Sequence, residues 1–369
     1  MPAPTKLPSL PFADKLKVWV LAPHIESTDT NIDYYYDFTQ SIAEYKKTFE
    51  LLGINWVWQP VTMETFEPVI NQIVQEKESN LFYPVVLNIC DGDEVNGAPG
   101  ISVVRLLKEK GLIFTGADEY FYEITTSKIP MKAAFDKAGV PTAKWVAIHS
   151  TNQSINGIFA DLGTPVIVKP AVSGGSMGLG IKNIVYTEDD LKEQVKKMFN
   201  GYRGWNLADA GIIVESFING NEYTTFIVGD YTDKAHAIIY TPVERVFHPS
   251  LPDNEKILSF DRLWEIYEDE TAMPGNENFY EYTLPEAALI EEIKSISWEA
   301  YAATKGKGYT RVDLRRDTAS GKIYVLEVNA QCGISEDENY TSIGAILRLS
   351  NQTFPALVVH IINNAFQRK

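Results

Sequence analysis

An α/β fold of two or three domains is expected for this chain, on three observations. Strand-like and helix-like stretches alternate over roughly the first 120 residues, the order that builds a parallel sheet. The 369 residues exceed what one ordinary core organises. The composition, 45% hydrophobic, 22% charged and 12% aromatic, is that of a globular chain rather than a disordered one.

The elements follow in order. After a Pro-rich lead, "LKVWVLAP" (16–23) reads as a buried strand, a helix is expected around 37–52 and ends at Gly53, and "NWVWQPV" is a second strand. "YPVVLNIC" (83–90) is a third strand, running into the Gly/Asp-rich loop "DGDEVNGAPG". "SVVRLLKEKG" is an amphipathic helix and "LIFTG" a short strand. "TSKIPMKAAFDKAGVPTAKWVAI" offers a capped helix stopped by Gly139, then a strand. "PVIVKPAVSGGSMGLGIKNIVY" is two strands around a glycine-rich loop, followed by a helix at 188–199 and the strand "GIIVESFI". "NEYTTFIVGD" pairs with "AHAIIYTPV". Residues 244–284 read as irregular, rich in Pro, Asn, Glu and aromatics, and long enough for a functional lid. A helix over 285–304 leads to the strands "GYTRVDLRRD" and "GKIYVLEVNA", joined by a turn at Gly321.

Charge narrows the function classes. A formal net charge of -16 argues against nucleic acid or an anionic membrane as the main partner and leaves small-molecule substrates. No stretch approaches the roughly 20 apolar residues of a membrane-spanning helix. "MPAPTKLPSLPFADK" lacks the apolar core of a signal peptide. Two cysteines, Cys90 and Cys332, make neither a disulfide framework nor a zinc site, and a cytoplasmic setting is expected.

The chemistry concentrates in three places. In "YVLEVNA", Glu327 and Asn329 share one face of an apolar strand, and across the hairpin Arg311 and Asp313 of "TRVDL" share one face too. Three oxygen donors and a guanidinium result, suited to Mg²⁺ and to charge growing on a transferring phosphoryl group. A structural salt bridge on a half-exposed sheet is the competing reading. The loop "VKPAVSGGSMGLGI" offers backbone amides to phosphate oxygens, with Lys169 adding a point charge, although it lacks the Walker ending and a plain flexible hairpin reads the same way. In "VESFINGNEY", residues 215–218 can present backbone groups to an adenine edge and Glu222 can accept from ribose hydroxyls.

In this order, together with "TSKIPMKAAFDKAGVPTAKW" and "YVLEVNAQCG", these segments resemble the ATP-grasp superfamily, most closely its D-alanine–D-alanine ligase branch. The resemblance covers nearly the whole chain. It implies three α/β domains: 1–122 with an open parallel sheet, 123–210 as the small central part with the glycine-rich loop, and 211–369 as the larger C-terminal part with the lid and metal site. It implies ATP contacts from Lys128, Lys169, Gly174, Gly175, Ser176, Glu215, Ser216, Phe217, Ile218 and Glu222. It implies two Mg²⁺ ions, with Mn²⁺ as a substitute, on Asp313, Glu327 and Asn329. Arg311 and the Gly333 N–H would steady an oxyanion, Glu26 and Tyr267 would belong to a hydrogen-bonded set near the substrates, and a homodimer is implied. The implied reaction is ADP-forming ligation of a carboxylate to an amine through an acyl phosphate.

Departures fall at the amino-acid side. "NICDGDEVNG" lacks the family's histidine, leaving Asn88 as a candidate substrate contact there beside Glu336, Glu338 and Thr341, and Gly175 stands where the family has serine. The lid lysine has no counterpart in "LWEIYEDE". An acidic run, Glu336, Asp337 and Glu338, precedes Thr341, the candidate for the acceptor carboxylate, and would favour a cationic acceptor. These departures argue against ordinary D-alanyl-D-alanine synthesis. Two other readings stand beside the ligase: phosphorylation of a non-carboxylate oxygen ending in an imine, and nucleotide binding without catalysis.

Overall fold

A computed structural model describes residues 9–25, 36–339 and 341–368. The first part holds β1 (Leu16–Pro23), α1 (Thr39–Leu52), β2 (Asn55–Val61), α2 (Phe66–Glu78), β3 (Tyr83–Asn88), α3 (Ile101–Glu109) and β4 (Ile113–Phe114). Its four strands lie in the order β2-β1-β3-β4, all parallel. Nearly every residue of β1 is buried, as a parallel strand covered on both faces requires. Gly53 ends α1 at φ 65, with its N–H bonded back to Glu50 and Phe49 carbonyls.

The chain continues through α4 (Glu119–Thr126), α5 (Lys128–Ala138), β5 (Trp145–Ile148), α6 (Ile158–Leu162), β6 (Val166–Pro170), β7 (Ile184–Val185), α7 (Glu188–Phe199) and β8 (Ile212–Ser216). The strands form an antiparallel sheet in the order β5-β8-β6-β7, so β8, grouped by sequence with the C-terminal part, pairs in the central sheet. The Ser127 hydroxyl caps α5, and Gly139 closes it at φ 72. Thr187 caps α7, whose first turn is acidic and last turn basic, in accord with the helix dipole.

The third part comprises β9 (Glu222–Asp230), β10 (Ile238–Ile239), β11 (Val243–Phe247), α8 (Phe260–Leu263), β12 (Tyr280–Thr283), α9 (Ile290–Ala303), β13 (Lys307–Arg316), β14 (Ile323–Ala330), α10 (Ser342–Leu349) and α11 (Phe354–Gln367). Its sheet runs β12-β11-β9-β13-β14, with β10 on β9. The expectation that 244–284 is irregular needs correcting. Its two ends are antiparallel strands of this sheet, with Arg245 opposite Glu222 on one side and Tyr282 on the other. Only the stretch between them projects as a lid.

One apolar cluster joins the first and third parts. Leu16, Val18 and Val85 of the parallel sheet pack with Leu357 and Ile361 of α11 and with Phe226 and Tyr309 of the large sheet. The other face of that sheet is covered by α4, α5 and α9, through Phe121, Phe135 and Tyr301. The central sheet has a core of its own, including Val168, Val195 and Val214. No single helix among the described residues is long and apolar enough to cross a membrane.

Tyr301 on α9 is fully buried, and its hydroxyl donates to the Gly229 carbonyl at 2.7 Å and lies 3.2 Å from that of Gly308. Tyr301→Phe removes the only donor these carbonyls receive from the ring, so urea unfolding should show a loss of about 1–2 kcal/mol with an unchanged m-value.

Candidate active site

A cleft of ≈ 500 Å³ lies between the central and large sheets. β13 and β14 build its floor. Their register sets Arg311 opposite Asn329 and Asp313 opposite Glu327, so the four polar residues do share one face. A bulge follows the Asp313–Glu327 pair, and it leaves Leu326 lining the cleft beside Glu327 rather than packing with Val325 and Val328 in the core.

The cluster is tightly bonded. Arg311 Nε and Nη2 reach Asp313 at 2.9–3.1 Å, the Thr224 hydroxyl donates to Asp313 Oδ1 at 2.7 Å, and the Asn329 amide lies 2.9 Å from Asp313 and 3.3 Å from Glu327. Lys128 Nζ stands 3.3 Å from Glu327 Oε2. Burial raises the Glu327 pKa, but Lys128 and Arg311 outweigh it and hold the carboxyl below its ordinary range.

The second wall is cationic. Glu215 on β8 is 1% exposed and lies between Lys132 Nζ, at 2.6 Å, and Lys169 Nζ, to which it is also ion-paired. Burial pushes this carboxyl up, yet the two ammonium groups prevail and hold it at about 2. Glu215 therefore fixes Lys169, and its carboxylate is already committed to two lysines. Glu222 is likewise held, between Arg245 and Arg315, the latter at 2.7 Å. Burial and the neighbouring Arg245 lower the Arg315 pKa to about 10, which leaves it a cation at neutral pH. Ser216, Phe217 and Ile218 line the same end of the cleft, with Ile167, Ile257 and Leu326 as apolar neighbours.

Ser173, Gly174 and Gly175 face both this cleft and an adjoining space of ≈ 410 Å³, while Ser176 lines the cleft alone. Gly175 has φ 53, and a Cβ there would stand 3.1 Å from the Trp264 ring, whose Nε1 donates to the Gly175 carbonyl at 2.8 Å. That contact gives a physical reason for glycine where serine was expected. The lid is docked through Ile181 N to Glu270 (2.9 Å), Tyr202 to Glu268 (2.9 Å) and the Lys182–Asp269 ion pair, while Ser259 Oγ braces Glu270 from within the lid (2.6 Å).

The adjoining space is lined by Asp91, Asp93, Tyr122, Arg311, Gly333 and Thr341, among others. Of the acidic loop, Asp93 is spent on Asn96, and Glu94 receives the Gly100 and Ser102 N–H groups at 3.1 and 2.7 Å at the start of α3. Asp91 is solvent-exposed where it opens onto the space, yet the protein crowded around its carboxyl, with Asp93 nearby, pushes its pKa up to about 6. Burial also pushes the Cys332 thiol up to about 12 and the Cys90 thiol upward, so neither is a nucleophile at neutral pH.

Several expectations fall elsewhere. Asn88 is buried and contributes its carbonyl to a buried contact, not its side chain to the cleft. Glu336 pairs with Lys47 at 3.0 Å and Glu338 with Arg348 at 2.6 Å, and the Asp337 carboxylate receives the Asn339 N–H. Residues 336–338 line neither part of the cleft, so they give no basis for selecting a cationic acceptor. Thr341 caps α10. Tyr267 does not line the cleft, whereas Trp264 and Glu265 of the same stretch do. Glu26 lies outside the described residues. Sequence reasoning missed Lys132, one helical turn beyond Lys128, and Arg315, two residues beyond Asp313; both spacings were readable. It also missed Arg245, Trp264 and Ser342, whose hydroxyl is buried at the cleft without a partner among the described residues.

A glycine-rich loop over a cationic wall, facing an acidic hairpin across two sheets, defines an ATP-grasp enzyme. The family model described as "D-ala D-ala ligase C-terminus" matches residues 134–363, and the chain belongs to the D-alanine–D-alanine ligase family. Relatives include the D-alanine–D-alanine ligase of Xanthomonas axonopodis pv. citri, 26% identical over 68% of this chain and 69% of that one. That of Cupriavidus metallidurans is 29% identical over 62% of each. The same fold occurs in the Bacillus anthracis D-alanine–D-alanine ligase complexed with ATP, with TM-score 0.64, 18% identity and 95% and 97% of the two chains covered. The Coxiella burnetii ligase gives 0.65 at 17% identity and covers 96% of each chain.

Two tests address these charges. Glu215→Gln leaves two ammonium groups facing a neutral amide, and thermal or urea unfolding should show a loss of about 3–5 kcal/mol, partly restored by adding Lys132→Met. Asp91 favours folding while protonated. That contribution is present below its ordinary pKa of 3.8 and lost as pH rises through about 6. Asp91→Asn should therefore melt above the wild type at about pH 7.5, with the gap closing towards about pH 4.

Proposed function

We propose that this chain is an ADP-forming ligase that joins an amino-acid carboxylate to an amine. The observation that carries the reading is the facing set Arg311–Asn329 and Asp313–Glu327 within reach of Lys128, in one cleft with Lys169 and the glycine-rich loop.

ATP is read with its base at Phe217 and Ile218 and its phosphates towards Lys128, Lys169 and the loop 173–176. Lys169 is oriented for this by Glu215. Glu222, taken up by Arg245 and Arg315, presents a charged pair to the ribose rather than a lone carboxylate. The substrate carboxylate attacks the γ-phosphorus, ADP leaves, and an acyl phosphate forms. The amine then adds to the acyl carbon and expels phosphate, losing a proton as the amide forms. Arg311 and the Gly333 N–H face the space where that tetrahedral oxyanion develops. Trp264 holds the loop over the phosphates and keeps water from the acyl phosphate. At the start of α10, Thr341 and the Ser342 hydroxyl, which has no partner among the described residues, suit a carboxylate on the acceptor.

The donor set fits Mg²⁺. Among the described residues no three acids or histidines converge, but two carboxylates and an amide suit a hard cation that takes its other ligands from phosphate and water. Asp313, Glu327 and Asn329 would hold it, and Asn329 would turn its amide so that the oxygen faces the metal. Bound there, the metal neutralises phosphate charge.

The relatives are D-alanine–D-alanine ligases, and the pairing of Glu336 and Glu338, with all of 336–338 outside the cleft lining, removes the charge argument for a cationic acceptor. Small amino acids, D-alanine included, are thus the first substrates to try. Phosphate release from Mg·ATP should rise with an amino-acid pool in the wild type and fall at least about 100-fold in Glu327→Gln. Equal release by the two proteins would overturn the reading.

A further inference from the structure

Gln331 follows the metal strand, is 1% exposed, and has its backbone in the left-handed region at φ 58. A non-glycine residue stays there only when its surroundings hold it. Its surroundings are identifiable. The side-chain carbonyl accepts the Ala117 N–H at 2.7 Å, and the side-chain amide donates to the Asn88 carbonyl at 3.0 Å. Asn88 ends β3 and Ala117 follows β4, so one glutamine engages the C-terminal ends of two neighbouring strands of the parallel sheet. The chain leaves room for it: Gly116 has φ 86, and a Cβ there would lie 1.6 Å from Gln331 Oε1.

What stands on each side gives the contact its meaning. Beyond Asn88, the backbone runs directly into Asp91 in the substrate-side space. Beyond Gln331 come Cys332 and Gly333, in the same space as Arg311 and Asn329. We propose that Gln331 is a positioning residue, setting the loop that begins at Asn88 against the Gly333 amide and so governing acyl-phosphate formation and capture rather than nucleotide binding. This rests on the ligase reading above. A substrate held by the first loop meets the oxyanion donors of the second in a geometry that this amide fixes.

Three variants separate side chain from backbone. Gln331→Gly keeps the left-handed backbone and removes the amide. Gln331→Asn tolerates that backbone but is too short to span both partners. Gly116→Ala displaces the glutamine from the opposite side. In all three, an ATP analogue should bind within about twofold of wild type, while KM for the carboxylate substrate rises about tenfold and ADP released per amide formed climbs above one, as water captures the acyl phosphate to give free acid and phosphate. Hydrogen exchange of segments 88–93 and 331–333 should quicken together, a readout that needs no substrate. Wild-type KM and ADP-to-amide ratio, or unchanged exchange, would overturn the proposal. So would a uniform loss of nucleotide binding and melting temperature. If the wild type itself forms no amide, the ligase reading fails, and the exchange measurement still decides whether Gln331 joins the two loops.

Discussion

Charge compensation in the cleft is the constraint on which the rest of the structure depends. Glu215 and Glu222 are each bracketed by two cations, Asp313 is gripped by Arg311, and Glu327 is faced by Lys128. A carboxylate left alone at such depth would be protonated or would draw in water. The partners come from different elements: Lys128 and Lys132 from α5, Lys169 from β6, Arg245 from β11, and Arg311 and Arg315 from β13. Satisfying the charges therefore requires the two sheets and the helix to meet in one arrangement. The same pairs that stabilise the fold aim the lysines and arginines at the cleft.

Much of this was legible because strand and helix periodicity place side chains reliably. Alternation put Arg311 with Asp313 and Glu327 with Asn329, and the hairpin register brought the two pairs face to face. The parallel sheet was readable from apolar runs separated by turn residues. What was not legible depended on tertiary partners. β11 and β12 are four or five residues long and carry charges, so "VERVF" and "YEYT" look like loop until β9 pairs with β11 and β11 with β12. Helix α2, absent from the expectations, was readable: "FEPVINQIVQEKE" sets Phe66, Val69, Ile70, Ile73 and Val74 at helical spacing, and all five pack in one cluster with the parallel sheet.

The acidic run illustrates the opposite error. Three neighbouring acids suggest a field directed at the substrate, but Lys47 and Arg348 come from helices remote in sequence and take two of them. Sequence lists charges without their partners. Gly175 shows the same limit from the other side, since its absent side chain is explained by Trp264, far along the chain and invisible to local reading.

The packing of α11 against β1 and β3 bears on how the protein is made. Leu357 and Ile361 belong to the same core as Leu16 and Val85, although they are near opposite ends of the chain. During synthesis Tyr45 and Phe49 of α1 can cover only part of that face, and the rest stays open until α11 has emerged. The central sheet, with its own core, has no such wait. The nascent first domain is thus the stretch that gains from chaperone shelter until a helix made far later seals it.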